Sequence, residues 1–430
     1  MLSYFLTAMS NSLVITGLTK IETDLSLNQV GLSWVQNAYG LAFGSFLLLS
    51  GRLSDVVDRR KILNIALFIF LIGSLLSGIA FNGAIMIAAR FIQGIGSALL
   101  APTSMALLVD YFSGPSLVKA IAWYSSVAGL GASIGLVLGG IFASFLSWRI
   151  GFYINVPVCL LMSAMSLYVL SNSSQSRHEK LDILGTLTSI LGCGVLVYAL
   201  NGARQPLIAL IVALILLATF IYHEHRSSHP ILPLSMFNSR VRTSGYLCRT
   251  ILNGTLLGYW FFISEYLQKI LHYNPLQVGF GYLPLSLTLF IAAILVPRLI
   301  NNFGNKKVLI FASIIMLIGY GCSVITIGHG YWLGVGIPML IIGTGQGLAL
   351  APTTNMGIYD VKPALNGTAS GLVNVSHQLG GVLGLAIMVF ISSSLTTSAN
   401  ISAQFHISLI VAIFMMLITT IFACCSPSTN

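Results

Sequence analysis

Glu265 is the acidic residue of greatest chemical interest, because it falls inside a long apolar stretch and away from the ends of that stretch. A carboxyl group in a low-dielectric environment can bind and release a proton near neutral pH, and it can also pair with a cation. Lys269 follows four residues later, so an ordinary ion pair along one helix surface is an open alternative. Glu265 is thus a candidate for proton or cation binding.

Arg90 and Gln93 lie one helical turn apart in another apolar stretch. An arginine inside a membrane helix costs about 2.5–3.5 kcal/mol on insertion scales unless it faces a cavity or a partner. The sequence therefore predicts a cavity-facing cation that organises proton or substrate binding. The alternative is an arginine that reaches for the nearer membrane surface. His377 could also titrate near neutral pH, although a packed histidine is an equally open interpretation.

Aromatic and amide side chains add a possible binding surface. Aromatic faces beside an acid suit lipophilic cations, whereas lipid contact or core packing is the usual role of a single aromatic residue in a membrane helix. The residues selected as candidates for this surface are Gln36, Tyr39, Trp123 and Tyr259.

The segment Gly51–Lys61 is the densest charge cluster in the chain. Its acid Asp55 can accept hydrogen bonds from helix amides and pair with an arginine, which would form a conformational latch on the cytoplasmic side. The alternative is that the Arg and Lys residues of this segment only determine the membrane topology, but that role does not require the acidic residues. The candidate latch residues are Gly51, Arg52, Asp55, Arg59 and Arg60.

Four glycines, Gly131, Gly135, Gly139 and Gly140, have the spacing that lets two helix backbones touch and slide. The spacing alone fits a static packing seam equally well.

The elements that must position these residues are membrane helices. The composition is 56% hydrophobic and 7% charged, whereas soluble domains carry roughly a quarter charged residues. Apolar segments of about 20 residues match the bilayer span of a helix and argue against a barrel. We count fourteen candidate spanning helices, and loops on one side hold most of the Lys and Arg residues. This bias predicts that both termini are cytoplasmic and explains the net charge of +10 without a nucleic-acid partner.

The chain also repeats itself, which indicates two related halves. R-L-S-D-V-V-D-R-R-K-I-L at 52–63 aligns without a gap to R-L-I-N-N-F-G-N-K-K-V-L at 298–309. We therefore expect an all-α membrane protein with a six-helix bundle over residues 1–172, two extra transmembrane helices with linkers over 173–242, and a second six-helix bundle over 243–430.

Enzyme, metal and cofactor chemistry find no support in the sequence. The six cysteines are scattered through apolar segments without ligand spacing, so small buried hydrophobes are the expected role. His223, His225 and His229 could suggest a metal site, but no cysteine or second acid completes the set. Asp182 is expected to cap a helix. We expect no enzyme activity, no metal and no cofactor.

Several motifs resemble those of the major facilitator superfamily. G-R-L-S-D-V-V-D-R-R-K at 51–61 is similar to its loop signature, R-F-I-Q-G-I-G-S-A at 90–98 to its fourth-helix pattern, and G-A-S-I-G-L-V-L-G-G at 131–140 to its fifth-helix antiporter motif. W-R-I-G-F-Y-I-N-V-P at 148–157, the stretch 265–284 and the stretch 367–384 resemble the fourteen-helix drug:proton antiporter branch, the multidrug efflux pumps of the quaternary-ammonium and tetracycline exporter type.

The resemblance implies a proton-coupled antiporter that expels lipophilic drugs by alternating access. Cationic drugs are the expected substrates. It also implies a rocking role for the fifth-helix glycines, although Leu136 replaces the proline of that motif. Related pumps often place an aspartate in the first helix, where this chain has Ser10. The expected partners are drugs, protons and the lipid bilayer, and the expected state is a monomer in the plasma or inner membrane. A facilitator or symporter for a metabolite, sugar or peptide and a non-transporting membrane protein are the alternatives.

Overall fold

Fourteen helices form the part of the protein that the computed structural model describes, residues 1–170, 182–227, 230–362, 365–396 and 400–427. Within these ranges the regular secondary structure is helical, and the prediction of a fourteen-helix all-α fold is confirmed. The first eight helices are α1 (Leu2–Asp24), α2 (Gln29–Val56), α3 (Arg59–Ile79), α4 (Gly83–Tyr111), α5 (Gly114–Phe145), α6 (Trp148–Val169), α7 (Ile183–Leu200) and α8 (Pro206–Arg226).

The remaining six helices follow a 3-10 turn at Leu234–Asn238. They are α9 (Arg240–Lys269), α10 (275–303), α11 (305–326), α12 (Trp332–Gly357), α13 (Asn366–Leu395) and α14 (Ile401–Cys425).

Polar side chains begin several of these helices, as capping requires. Asn28 accepts from the Gly31 amide, Asn82 from the Ile85 amide and Asn400 from the Ala403 amide. Asp58 caps α3 by accepting from the Lys61 amide at 2.9 Å. These short polar residues fix where each apolar run starts.

A single residue separates α10 from α11. Gly304 has φ 79° and ψ 161° inside an otherwise continuous helical run, and this left-handed region favours glycine. The sequence predicts a short loop at this place, and the structure reduces it to one glycine.

Nine described helical stretches are long and apolar enough to cross a membrane by length and composition. Helices α1, α2, α5 and α9 are not among them, and α5 contributes only the shorter apolar stretch Gly129–Phe145. Helices α1, α2 and α9 each carry buried polar side chains, for example Ser10, Gln36 and Glu265. The same helices hold several of the candidate site residues.

The chain forms two compact units. The first comprises Met1–Ala199, Gln205–Ile231 and Asn274–Gly279, and the second comprises Leu200–Arg204, Leu232–Tyr273 and Phe280–Asn430. In the first unit α1 packs on α5, α2 on α4, and α3 on both α4 and α6. In the second unit α9 packs on α13, while the run containing α10 and α11 packs on α12 and α14.

The helix pairs of the second unit thus repeat those of the first, as the internal sequence repeat predicts. The finer division at residues 172 and 242 stays a prediction.

Candidate functional site

Arg90 on α4 is completely buried, with 0% of its surface exposed. Its Nε donates to the Val35 carbonyl oxygen at 3.2 Å, its Nη1 donates to Gln93 Oε1, and its guanidinium lies 4.3 Å from the centre of the Tyr39 ring. The alternative that Arg90 reaches for the surface is therefore wrong. A cation–π contact of this kind is worth about 2 kcal/mol when desolvated.

Gln93 connects Arg90 to three other helices. Its Nε2 donates to Ser10 Oγ on α1 at 2.9 Å and to Ser74 Oγ on α3 at 2.8 Å. Asn155 on α6 donates to the same two hydroxyls, at 3.2 Å and 3.3 Å. The result is a buried polar network, here named the Arg90 network, formed by Ser10, Ser74, Arg90, Gln93 and Asn155.

Tyr39 and Gln36 on α2 extend this region, while their role in binding stays a prediction. The Tyr39 hydroxyl lies 2.7 Å from Ser97 Oγ and 3.2 Å from the Thr7 carbonyl oxygen. Gln36 Nε2 donates to Asn11 Oδ1 at 2.9 Å. Trp123, by contrast, is 62% exposed on α5, and its role in binding stays a prediction.

Glu265 lies in the second unit and forms the ion pair that the sequence allowed as an alternative. Lys269 Nζ donates to Glu265 Oε1 at 2.8 Å, with the Glu265 side chain 1% exposed and that of Lys269 25% exposed. Burial leaves the carboxylate dependent on a neighbour of opposite charge. Its role in proton or cation binding stays a prediction.

Tyr259 is fully buried on α9, one and a half turns before Glu265. Its ring centre lies 5.6 Å from that of Tyr320 and 6.3 Å from that of Phe405. The Tyr259 hydroxyl has no hydrogen-bond partner among the residues that the structure describes. Tyr259, Tyr320 and Phe405 form a cluster, here named the Tyr259 aromatic group, that places aromatic rings and tyrosine hydroxyls inside the second unit.

His377 on α13 lies beside α9. Asn253 Nδ2 donates to the His377 carbonyl oxygen at 2.6 Å, and one turn away Arg249 Nη1 donates to the Leu350 carbonyl oxygen at 2.9 Å. The His377 Nδ1 atom is buried without a hydrogen-bond partner in the described chain. Its titrating role stays a prediction.

The charged segment between α2 and α3 is described in part. The side chains of Arg52 and Asp55 lie outside the described residues, whereas a Cβ at Gly51 would meet open space. Arg59 forms an ion pair with Asp110 at the end of α4 and donates to the Ala106 carbonyl oxygen at 3.0 Å. Arg60 donates to the Leu167 carbonyl oxygen at 2.9 Å. Arg59 and Arg60 therefore tie the start of α3 to α4 and α6.

Asp110 was not selected from the sequence, because an acid at a helix end resembles any loop acid. Asp24 was missed in the same way. It accepts from Trp148 Nε1 at 2.8 Å and from Arg149 Nη1 at 3.1 Å. The Arg149 guanidinium stacks 4.3 Å from the Trp148 ring centre, so the Trp-Arg pair of the 148–157 motif fastens α6 to the end of α1.

The fifth-helix glycines make the close contact that their spacing predicts. A Cβ at Gly131, Gly135 or Gly139 would lie 2.7, 2.5 or 2.4 Å from a backbone oxygen of α1. Gly140 faces the first residues of α10 instead, where a Cβ would lie 2.6 Å from the Pro275 carbonyl oxygen. Three of the four glycines therefore bring α1 and α5 into backbone contact.

The second unit has an equivalent contact that was not selected as a site. A Cβ at Gly380 would lie 2.3 Å from the Thr250 carbonyl oxygen, and one at Gly384 would lie 2.2 Å from Gly254 Cα. These residues join α9 to α13, the counterparts of α1 and α5. Gly380 and Gly384 lie within or at the end of the 367–384 motif, which was the available sequence signal.

Asp182 caps α7 as predicted, accepting from the Gly185 amide at 2.8 Å. Its Oδ1 atom also lies 2.8 Å from His223 Nε2. His229 lies outside the described residues, and the described part of the chain holds no group of three potential metal ligands.

Comparison with known proteins places these features in a family. The Major Facilitator Superfamily model matches residues 1–385. The puromycin resistance protein pur8 of Streptomyces alboniger is 31% identical, covering 91% of this chain and 80% of that protein. The cephamycin export protein CmcT of Amycolatopsis lactamdurans is 29% identical, covering 97% of this chain and 90% of that protein.

Among solved structures, the nucleoside transporter NupG has the same fold, with a TM-score of 0.70 at 13% identity over 98% of this chain and 97% of that one. Fourteen helices, a repeated pattern of helix pairs and a family match over most of the sequence agree, and the chain belongs to the Major Facilitator Superfamily.

Proposed function

We propose that this protein exports lipophilic drugs or other toxic compounds across the cell membrane in exchange for protons. The observation that carries the proposal is the similarity, over nine tenths of the chain, to proteins named for puromycin resistance and cephamycin export. Buried polar groups inside both units support it, because membrane helices keep such groups where a transported species or ion needs them.

Glu265 is the proposed coupling residue. When a proton neutralises its carboxylate, the ionic attraction between Glu265 and Lys269 is lost. A proton therefore stabilises one arrangement of this pair over the other, which is the differential binding that a coupled transporter requires. The Tyr259 aromatic group, on the same helix, would supply apolar contact for a drug.

The expected preference for cationic drugs also rests on Glu265. A cationic compound must compete with Lys269 for the carboxylate, because the two are already 2.8 Å apart. Cation binding and proton binding would then exclude each other at one residue, which is how an antiporter exchanges its two ligands. Arg90, Gln36, Tyr39, Trp123 and His377 are the other proposed binding residues.

The latch and the glycines have proposed roles in alternating access. Arg59 and Arg60 would hold α3, α4 and α6 together while Asp55 and Arg52 complete the charge relay. The α1–α5 contact through Gly131, Gly135 and Gly139 would let the two helices move as a pair, with Gly140 packing at the neighbouring segment.

The multi-pass chain is proposed to lie in the plasma or inner membrane with both termini cytoplasmic, since the bases concentrate on that side. It would act as a monomer with a proton gradient in place of a cofactor, and without enzyme activity.

Transport into everted membrane vesicles tests this function. An imposed inside-acid proton gradient should drive uptake of a labelled drug, and dissipating the gradient should abolish it. Drug uptake that does not depend on the proton gradient would favour a facilitator. Drug uptake driven by the opposite proton gradient would favour a symporter. Vesicles without the protein are the control.

A further inference from the structure

The Arg90 network holds a positive charge without a matching negative one. Arg90 contacts a carbonyl oxygen, an amide oxygen and an aromatic ring, all of them neutral groups. Its Nη2 atom is buried and has no hydrogen-bond partner among the described residues. A buried cation is stable when it is paired, so this environment is incomplete.

Among the side chains that the structure describes, no carboxylate pairs with Arg90, and two acids of the same unit are engaged elsewhere. Asp24 binds Trp148 and Arg149, and Asp110 binds Arg59 at the other end of α4. Arg90 and Asp110 are 20 residues apart on one helix, which is about 30 Å. Ser10, the α1 residue of the network, is neutral.

The surrounding groups suit a single negative charge. Gln93 and Asn155 present amide N–H groups to Ser10 and Ser74, and every helix contributing to the network is held by these bonds. Both amide groups use their two N–H hydrogens in these bonds, whereas the Ser10 and Ser74 hydroxyls only accept in them and keep an O–H group to donate. Hydroxyl and guanidinium donors together form the chemistry that binds small anions and carboxylates.

We propose that Arg90 binds one negative charge that none of the described side chains supplies, either a small inorganic anion or the carboxylate of a transported compound. The two sources share the same chemistry at Nη2. The carboxylate source rests on the proposed export function, whereas the inorganic source does not.

The test uses the full-length protein in lipid nanodiscs at constant ionic strength, with thermal unfolding as the readout. Chloride replaces methanesulfonate, a weakly basic anion without a carboxylate, in one arm, and benzoate replaces methanesulfonate in the other. An anion that binds only the folded state raises Tm with its concentration, so a tenfold excess over Kd should raise it by about 2 °C or more. A rise with chloride assigns the inorganic source, and a rise with benzoate alone assigns the carboxylate.

Three variants decide whether Arg90 is responsible. Arg90→Gln should abolish the rise. Ser10→Asp places a carboxylate inside the network, so it should raise Tm in methanesulfonate and abolish the response to added anion. Ser10→Asn adds a similar volume without charge and should keep the response. If Arg90→Gln does not fold, Ser10→Asp compared with Ser10→Asn still decides the question.

The proposal is overturned if neither anion shifts the wild-type Tm, or if Ser10→Asp responds as the wild type does. Failure of drug export in everted vesicles would leave a chloride shift intact, so the two proposals fail separately.

Discussion

Lys269 donates a 2.8 Å hydrogen bond to Glu265, and the two charges occupy adjacent turns of α9 with only the lysine reaching partial exposure. The acid is thus buried while its partner can still be reached by solvent. A buried carboxylate that loses such a partner must be neutralised.

Replacing Glu265 with Gln should therefore uncouple transport from protons. We expect proton-driven drug uptake to fall at least about fivefold, the lower end of typical coupling free energies, while drug exchange without a gradient continues. Everted vesicles measure both rates. Glu22→Gln, an acid near the end of α1, is the matched control and should transport normally; equal driven uptake in Glu265→Gln would remove Glu265 as the coupling residue.

The Arg59–Asp110 pair should matter for transport more than for stability. The two side chains are 24% and 44% exposed, and exposed pairs contribute about 0–1 kcal/mol. We expect Asp110→Asn to keep expression and Tm close to wild type but to reduce drug export in cells. Arg59→Gln combined with Asp110→Asn should be no worse than either single variant; additive losses would show that the residues act separately.

Gly135 and Gly129 provide a matched pair on α5. A Cβ at Gly135 would lie 2.5 Å from the Met9 carbonyl oxygen, whereas one at Gly129 would meet nothing within 4 Å. Overpacking costs typically about 1–3 kcal/mol, so Gly135→Ala should lower Tm. Gly129→Ala should leave it unchanged or higher, since alanine favours helix. Thermal unfolding in detergent measures both, and equal Tm values would contradict the close contact.

Asp24 should stabilise the junction of α1 and α6. Its loss leaves the Trp148 indole N–H without its 2.8 Å acceptor, and an unsatisfied buried donor costs about 1–3 kcal/mol. Asp24→Ala should therefore lower Tm, and Trp148→Phe should make the structure less sensitive to that change because the donor is gone. A full-sized Asp24→Ala effect in the Trp148→Phe background would attribute the stabilisation to Arg149 alone.

The fold was predictable because hydropathy marks most of the spanning helices and the internal repeat marks the two halves. Arg90 was predictable because its burial is costly and therefore unusual. Its neighbours were not, since Ser10 and Asn155 lie 145 residues apart and only packing brings them together. Asp110 and Asp24 were missed for the same reason, and the exposure of Trp123 shows that a single aromatic does not reveal which way a helix faces.

The glycine contacts of α1 with α5 and of α9 with α13 have a mechanical meaning. Backbone held against backbone leaves no flexible side chain between the helices to absorb displacement. Each pair of helices should therefore resist bending across the shared face. A displacement at one end of α5 or α13 would be transmitted to the other end of the helix, as the proposed alternating access requires.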